Sequence, residues 1–341
     1  MRETPSPVGR AAWSIMPSVF DYVEGALYLL LFISSLLVNI PLVMLLLRNR
    51  ASRDDIVSMV MVSLSVSDIG HGTIAPGIGT VIAWMQPKQV PSWLVLVQGS
   101  ARHIFMFNSV WHLALMSALK CYIIIRPLTF GSVLTERLRN VLIGALWTVI
   151  VAVIIGADLV GVRWTVDPLS NLAQPNGNPK MTTSFRNFES GLLMGVPSLV
   201  IFVAYVKILS VVRQHHVTIA NQTIIKVDSD LPTMNNQGTW SASIKSARSL
   251  FFICIAFYIT YIPSTVNNTG YALPDWYQIG TRWLLVNSSL ANSLLYILLY
   301  KSTRKHFWQM FCGERCARHT GNSVVAFQME TNNKIGGVER F

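Results

Sequence analysis

The chain has 341 residues, of which 52% are hydrophobic and only 13% charged, with a mean hydropathy of +0.45. That balance excludes a soluble globular protein and fits a polytopic membrane protein. The formal net charge of +11 does not point to nucleic acid, because the Lys and Arg concentrate, roughly 19 to 8, on the side that holds the C-terminus. Seven apolar stretches, near 25–47, 56–84, 99–125, 141–162, 189–213, 246–268 and 281–300, are each long enough to cross a bilayer as a helix. The expectation is an all-α membrane protein, a seven-transmembrane helix bundle with a short amphipathic eighth helix. Positive-inside bias and an odd number of spans place residues 1–21 outside, 22–300 in the bundle, 301–311 in the amphipathic helix and 312–341 in a flexible cytoplasmic tail. The basic excess then serves membrane lipids. Residues 1–20 lack the apolar core of a signal peptide, so the first span targets the chain. No internal repeat is evident, against the repeat-built transporters.

In chain order, the first stretch buries one polar residue, Asn39, suited to an interhelical hydrogen bond. The second carries Leu64-Ser65-Val66-Ser67-Asp68, and an acid at mid-membrane is expensive enough to be a functional candidate by default. The third runs from Arg102 to Lys120, about 27 Å along a helix, so Arg102 lies near the outer mouth and Lys120 near the inner end. The fourth holds Trp147; the fifth holds Pro197 and, eight residues on, Tyr205. The sixth ends Phe257-Tyr258-Ile259-Thr260-Tyr261-Ile262-Pro263, and a Pro there permits a bend. In the seventh, Arg282 stands about 15 Å above Asn292, and Asn292 and Tyr296 share one face. Arg102 and Arg282 either converge on an acidic ligand or meet the ordinary fate of Arg, snorkelling or pairing with Asp158 or Asp275. A basic-aromatic run, 301–311, follows, then Cys312 and Cys316, juxtamembrane palmitoylation candidates.

Asn-x-x-x-Tyr closing the last span ahead of an amphipathic helix, with the markers on the other six, resembles the rhodopsin-like (class A) G protein-coupled receptors. The resemblance implies a receptor, not an enzyme, at the plasma membrane, with an extracellular N-terminus, an extracellular ligand (acidic or peptide), a heterotrimeric G protein and arrestin. It implies a ligand pocket at Arg102, Tyr261 and Arg282, and activation through Lys120, Tyr205, Pro263, Asn292 and Tyr296. It further implies no cofactor beyond a Na+ ion on Asp68, Ser109, Ser289 and Asn292, an all-oxygen set that suits a hard cation.

The chain departs from the family in several places. Leu119-Lys120-Cys121 stands where Asp-Arg-Tyr is usual, and Lys keeps the charge without the planar fork of Arg. Ser293 replaces a Pro, Tyr261 replaces a Trp, and no Asp occupies the Arg102 position, which disfavours an aminergic ligand. None of the four cysteines is placed for an outer disulfide, so the loop 163–188 has no covalent staple and its conformation is left open, while 214–243 is expected to be disordered. The missing Asp-Arg pair supports an alternative: an atypical receptor that binds ligand or arrestin, or modulates another receptor, without activating G proteins. A retinal protein is disfavoured because 283–300 holds no Lys for a Schiff base.

Overall fold

The structure is a computed structural model that describes residues 19–48, 55–85, 89–127, 129–167, 169–225, 236–267, 273–300 and 303–311. Its long helices are α1 (Val19–Arg48), α2 (Ile56–Trp84), α3 (Ser92–Ile125), α5 (Glu136–Leu159), α7 (Val196–Ile225), α8 (Asn236–Asn267) and α9 (Asp275–Leu299). A four-residue helix α4 (Phe130–Val133) precedes α5, and the last described residues form α10 (Thr303–Phe311), turned 104° from α9. Between α5 and α7 lie β1 (Arg163–Val166), β2 (Ala173–Asn176), α6 (Pro179–Phe188) and a π-helical turn, Glu189–Gly195.

Polar side chains cap three of the helices, whereas Pro91 and Pro274 precede α3 and α9. Asp55 caps α2, accepting from the Ser58 N–H at 2.9 Å; Thr135 caps α5 and Asn178 caps α6, with Pro179 in its first turn. Among the described residues six helical segments are long and apolar enough to cross a membrane, counting Pro179–Gln214 as one. The seventh, α9, qualifies only together with α10. Its apolar run is broken by Arg282, Asn287, Ser288, Ser289, Asn292 and Ser293, and all of these except Arg282 and Asn287 are buried inside the protein. Helix α3 is the axis of the bundle, packed against α2, α5, α7, α8 and both strands, while α5 presents most of its surface outward.

Two hydrogen-bonded chains stitch the helices through the apolar core. The Trp147 indole donates to Ser63 Oγ at 3.0 Å, Ser63 meets His112 Nε2 at 2.8 Å, and His112 Nδ1 reaches the Asn108 carbonyl at 2.7 Å. Asn39 binds the Ser35 carbonyl through Nδ2, at 3.0 Å, and its Oδ1 accepts from the Ser293 hydroxyl. Ser293, standing where the family pattern has Pro, therefore supplies the tie between α1 and α9.

The loop left open takes a definite form, and the expectation of disorder in 214–243 is corrected. The segment 163–188 is an ordered antiparallel hairpin followed by a helix, with Arg163 opposite Asn176 and Val166 opposite Ala173. The segment 214–243 is helical as far as Ile225 and again from Asn236, because α7 and α8 run on past the apolar stretches. Helix α1 also begins at Val19, three residues ahead of the boundary expected at 22.

Candidate functional site

The hairpin caps one end of the bundle, and polar side chains fasten it where a disulfide is absent. Among the described residues Cys121 and Cys254 are free and buried. Gln98, fully buried on α3, accepts from the Ala173 N–H at 2.8 Å and donates to the Ala75 carbonyl at 3.1 Å. Trp164 lies over Gly99, where any Cβ would collide with its ring, and its indole donates to Asp158 at 2.6 Å. Asp158 also accepts from Ser100 at 2.6 Å. On the α1 side, Asn171 donates to Glu24 at 2.7 Å and the Tyr28 hydroxyl donates to the Ser170 carbonyl at 2.7 Å. Asn171 takes a left-handed backbone, φ 48°, in which Asn is among the tolerated residues.

Beneath this lid is a cavity of about 310 Å³. Arg102 from α3, Tyr261 from α8 and Arg282 from α9 all line it, so the structure brings together the three residues expected to form a ligand pocket. Neither Arg behaves as the ordinary alternative foresaw. Arg102 is only 2% exposed and donates to the Ala173 carbonyl at 2.7 Å, so it does not snorkel. Arg282 pairs with Asp167 of the loop, with neither Asp158 nor Asp275, and donates to Ser170 Oγ at 2.8 Å. The loop also contributes Arg186 and Glu189, which sequence reasoning missed. The Asn178-Pro179 start signal and the buried Thr182 and Phe185 three residues apart were the available clue to a helix there. The π turn begins at Glu189, and such turns are frequent at functional sites. His103 lies between Glu189 (3.4 Å) and the Gly99 carbonyl (2.7 Å).

Deeper in the bundle Asp68 is fully buried. Its Oδ1 accepts from Ser109 at 2.8 Å and, weakly, from Asn292 at 3.5 Å, while Oδ2 has no partner. Ser289 Oγ and Asn292 Oδ1 are likewise buried without partners. Ser289 is brought close by Gly72, whose missing side chain leaves room for it: a Cβ there would lie 2.8 Å from its Oγ. Burial of several unsatisfied oxygens is costly, and a hard cation satisfies them together. Asp68, Ser109 and Asn292 therefore meet in one cluster, with Ser289 one turn before Asn292 on α9, and oxygens of this kind are the ligands a hard cation prefers.

At the opposite end the Tyr205 hydroxyl donates to the Ala247 carbonyl at 3.2 Å, and Tyr296 stacks on Tyr300 at 4.2 Å. Lys120 is partly buried, and the carboxylate that acts on it is Asp55, the α2 cap. Pro263 sits inside α8, its carbonyl accepting from the Tyr277 hydroxyl at 3.1 Å. Cys312 and Cys316 lie outside the described residues.

The sequence matches the family described as "7 transmembrane receptor (rhodopsin family)" over residues 38–296, most of the chain. The chain belongs to that family. As a rhodopsin-family, class A G protein-coupled receptor it is a multi-pass membrane receptor and not an enzyme. No curated protein sequence matches it. In fold it is similar to squid rhodopsin, with a TM-score of 0.75 at 18% identity, covering 91% of each chain. At that identity the likeness speaks for the fold of the receptor alone.

Proposed function

We propose that this receptor sits in the plasma membrane with its hairpin end outside, binds an extracellular ligand under the hairpin, and activates a heterotrimeric G protein at the opposite end. The observation that carries this reading is the convergence of Arg102, Tyr261 and Arg282, from three separate helices, on one cavity above the buried Asp68. Tyr261 is the transmitting residue. It stacks on Phe257 one turn inward, with ring centroids 5.8 Å apart, and Pro263 lies two residues outward, so a ligand pressing on the ring bends α8 at the Pro. Bending α8 moves Ala247 away from Tyr205 and opens the end where Lys120 and Tyr296 lie, while Asn292 couples that end to Asp68.

Na+ held by Asp68, Ser109, Ser289 and Asn292 favours the closed arrangement, since it ties α2, α3 and α9 together. Acylation of Cys312 and Cys316 anchors the tail beside α10, whose Trp308 and Phe311 are exposed for the interface. Arrestin is the second intracellular partner.

The test is recruitment of a panel of G proteins and of arrestin in cells, for wild type and for Lys120→Arg. G protein recruitment by wild type supports the reading. Arrestin recruitment alone, with G protein gained only by Lys120→Arg, replaces it with an atypical receptor that lacks coupling because Lys cannot supply the bidentate fork.

A further inference from the structure

The charges around the cavity do not balance, and the imbalance points to what the cavity takes; this deepens the receptor reading and rests on it. Arg102, Arg186 and Arg282 line the cavity against only two acids, Asp167 and Glu189. Asp167 is taken by Arg282, and Glu189, 3.4 Å from His103, also acts on Arg102 from a distance, so three guanidiniums face two carboxylates. Arg102 and Arg186 make no ion pair among the described residues. Each gives one N–H to a carbonyl of β2: Arg102 to Ala173 at 2.7 Å and Arg186 to Pro175 at 3.1 Å. Carbonyls two residues apart on a strand point the same way, so both guanidiniums are held on one side of β2. Each also keeps a buried Nε without any partner, and Arg102 is almost wholly enclosed. A buried N–H left unsatisfied is expensive, and two on neighbouring cations call for a shared anionic acceptor.

The rest of the lining sets the shape of the occupant. Met106 lies one turn inward of Arg102 on α3, Leu285 one turn inward of Arg282 on α9, and Tyr261 one turn inward of Ser264 on α8. The few apolar side chains of the cavity therefore lie at its inner end, and its outer end is cationic. A volume of about 310 Å³ accepts only a small molecule.

We propose that the cavity binds a small amphiphilic monoanion, with one carboxylate or phosphate gripped between Arg102 and Arg186 and a compact apolar body against Met106, Tyr261 and Leu285. Arg282, occupied by Asp167, orders the lid and does not hold the anion.

The test is direct binding, read as the thermal shift of the purified full-length chain in nanodiscs. The probes are hexanoate, phenyl phosphate, inorganic phosphate and, as the neutral twin, hexanamide. Hexanoate or phenyl phosphate is expected to raise Tm saturably by several degrees, the better of the two naming the head group, with hexanamide and inorganic phosphate inert. Arg186→Gln is expected to weaken binding at least tenfold, read as the ligand-induced rise above its own ligand-free Tm, whereas Arg186→Lys keeps part of it. Arg102→Gln gives the same loss where it folds. Equal stabilisation by hexanamide, no shift from either amphiphilic anion, a response to inorganic phosphate as large as to phenyl phosphate, or full binding by Arg186→Gln overturns the proposal. Because the readout needs no transducer, a chain that binds hexanoate yet recruits no G protein would sink the coupling reading and leave this one standing.

Discussion

Gln98→Leu isolates the polar fastening of the lid. Gln98 is fully buried and joins the Ala173 N–H of β2 to the Ala75 carbonyl of α2. Leu fills similar space but leaves the Ala173 N–H without its partner, while the Ala75 carbonyl keeps its place in the α2 ladder, and a buried orphan costs about 1–3 kcal/mol. The Arg102 bond to the Ala173 carbonyl survives and holds the strand in place over the unpaired N–H, so the middle of that range applies, about 2 kcal/mol. Spent on local opening of the lid, about 2 kcal/mol raises its open population roughly 30-fold. Hydrogen–deuterium exchange across 163–176 should accelerate by that order in Gln98→Leu, with the cores of α2 and α3 unchanged. Unaltered exchange in the hairpin would refute the argument that side chains of α3 do the work a disulfide would otherwise do.

Gly99→Ala puts a methyl group into the Trp164 ring, and overpacking of this kind should lower stability by about 1–3 kcal/mol, read as a fall in Tm. Ser293→Ala removes the hydroxyl that Asn39 Oδ1 accepts from, leaving a buried carbonyl oxygen unpaired, and should cost about 1–3 kcal/mol in the same melt. NaCl in place of KCl should stabilise the wild type, by about 2.7 kcal/mol at a hundredfold excess over Kd, and Asp68→Asn should remove that dependence; identical melts in both salts would count against the cation site.

Much of the bundle was legible because membrane crossing demands long apolar runs, and strongly polar residues within them, such as Asn39, Asp68 and Asn292, stand out against that background. All three are buried, and each is held by a residue distant in sequence. The lid was not legible. Its strands are four residues long, and β2 carries Pro175, so neither period nor propensity marks it. Its order comes from partners far away in the chain: Glu24 and Tyr28 on α1, Gln98 and Arg102 on α3, Arg282 on α9. Arg282 shows the same limit within the site. Its position on the helix face could be read from spacing, whereas its partner could not, since Asp167 reaches it only after the hairpin folds. The helical continuation of α7 and α8 was hidden for another reason: those turns are polar, and a search for apolar stretches stops where apolarity does.

The claim most in need of testing is that ligand contact under the hairpin reaches a G protein at the other end. The most direct measurement is nucleotide exchange on purified heterotrimeric G proteins by the full-length receptor in nanodiscs, for wild type and Tyr261→Ala. The account predicts exchange above that of empty nanodiscs for at least one G protein with wild type, and a marked loss with Tyr261→Ala while the fold is retained. Equal exchange by the two proteins, or none from wild type with any G protein, would contradict it.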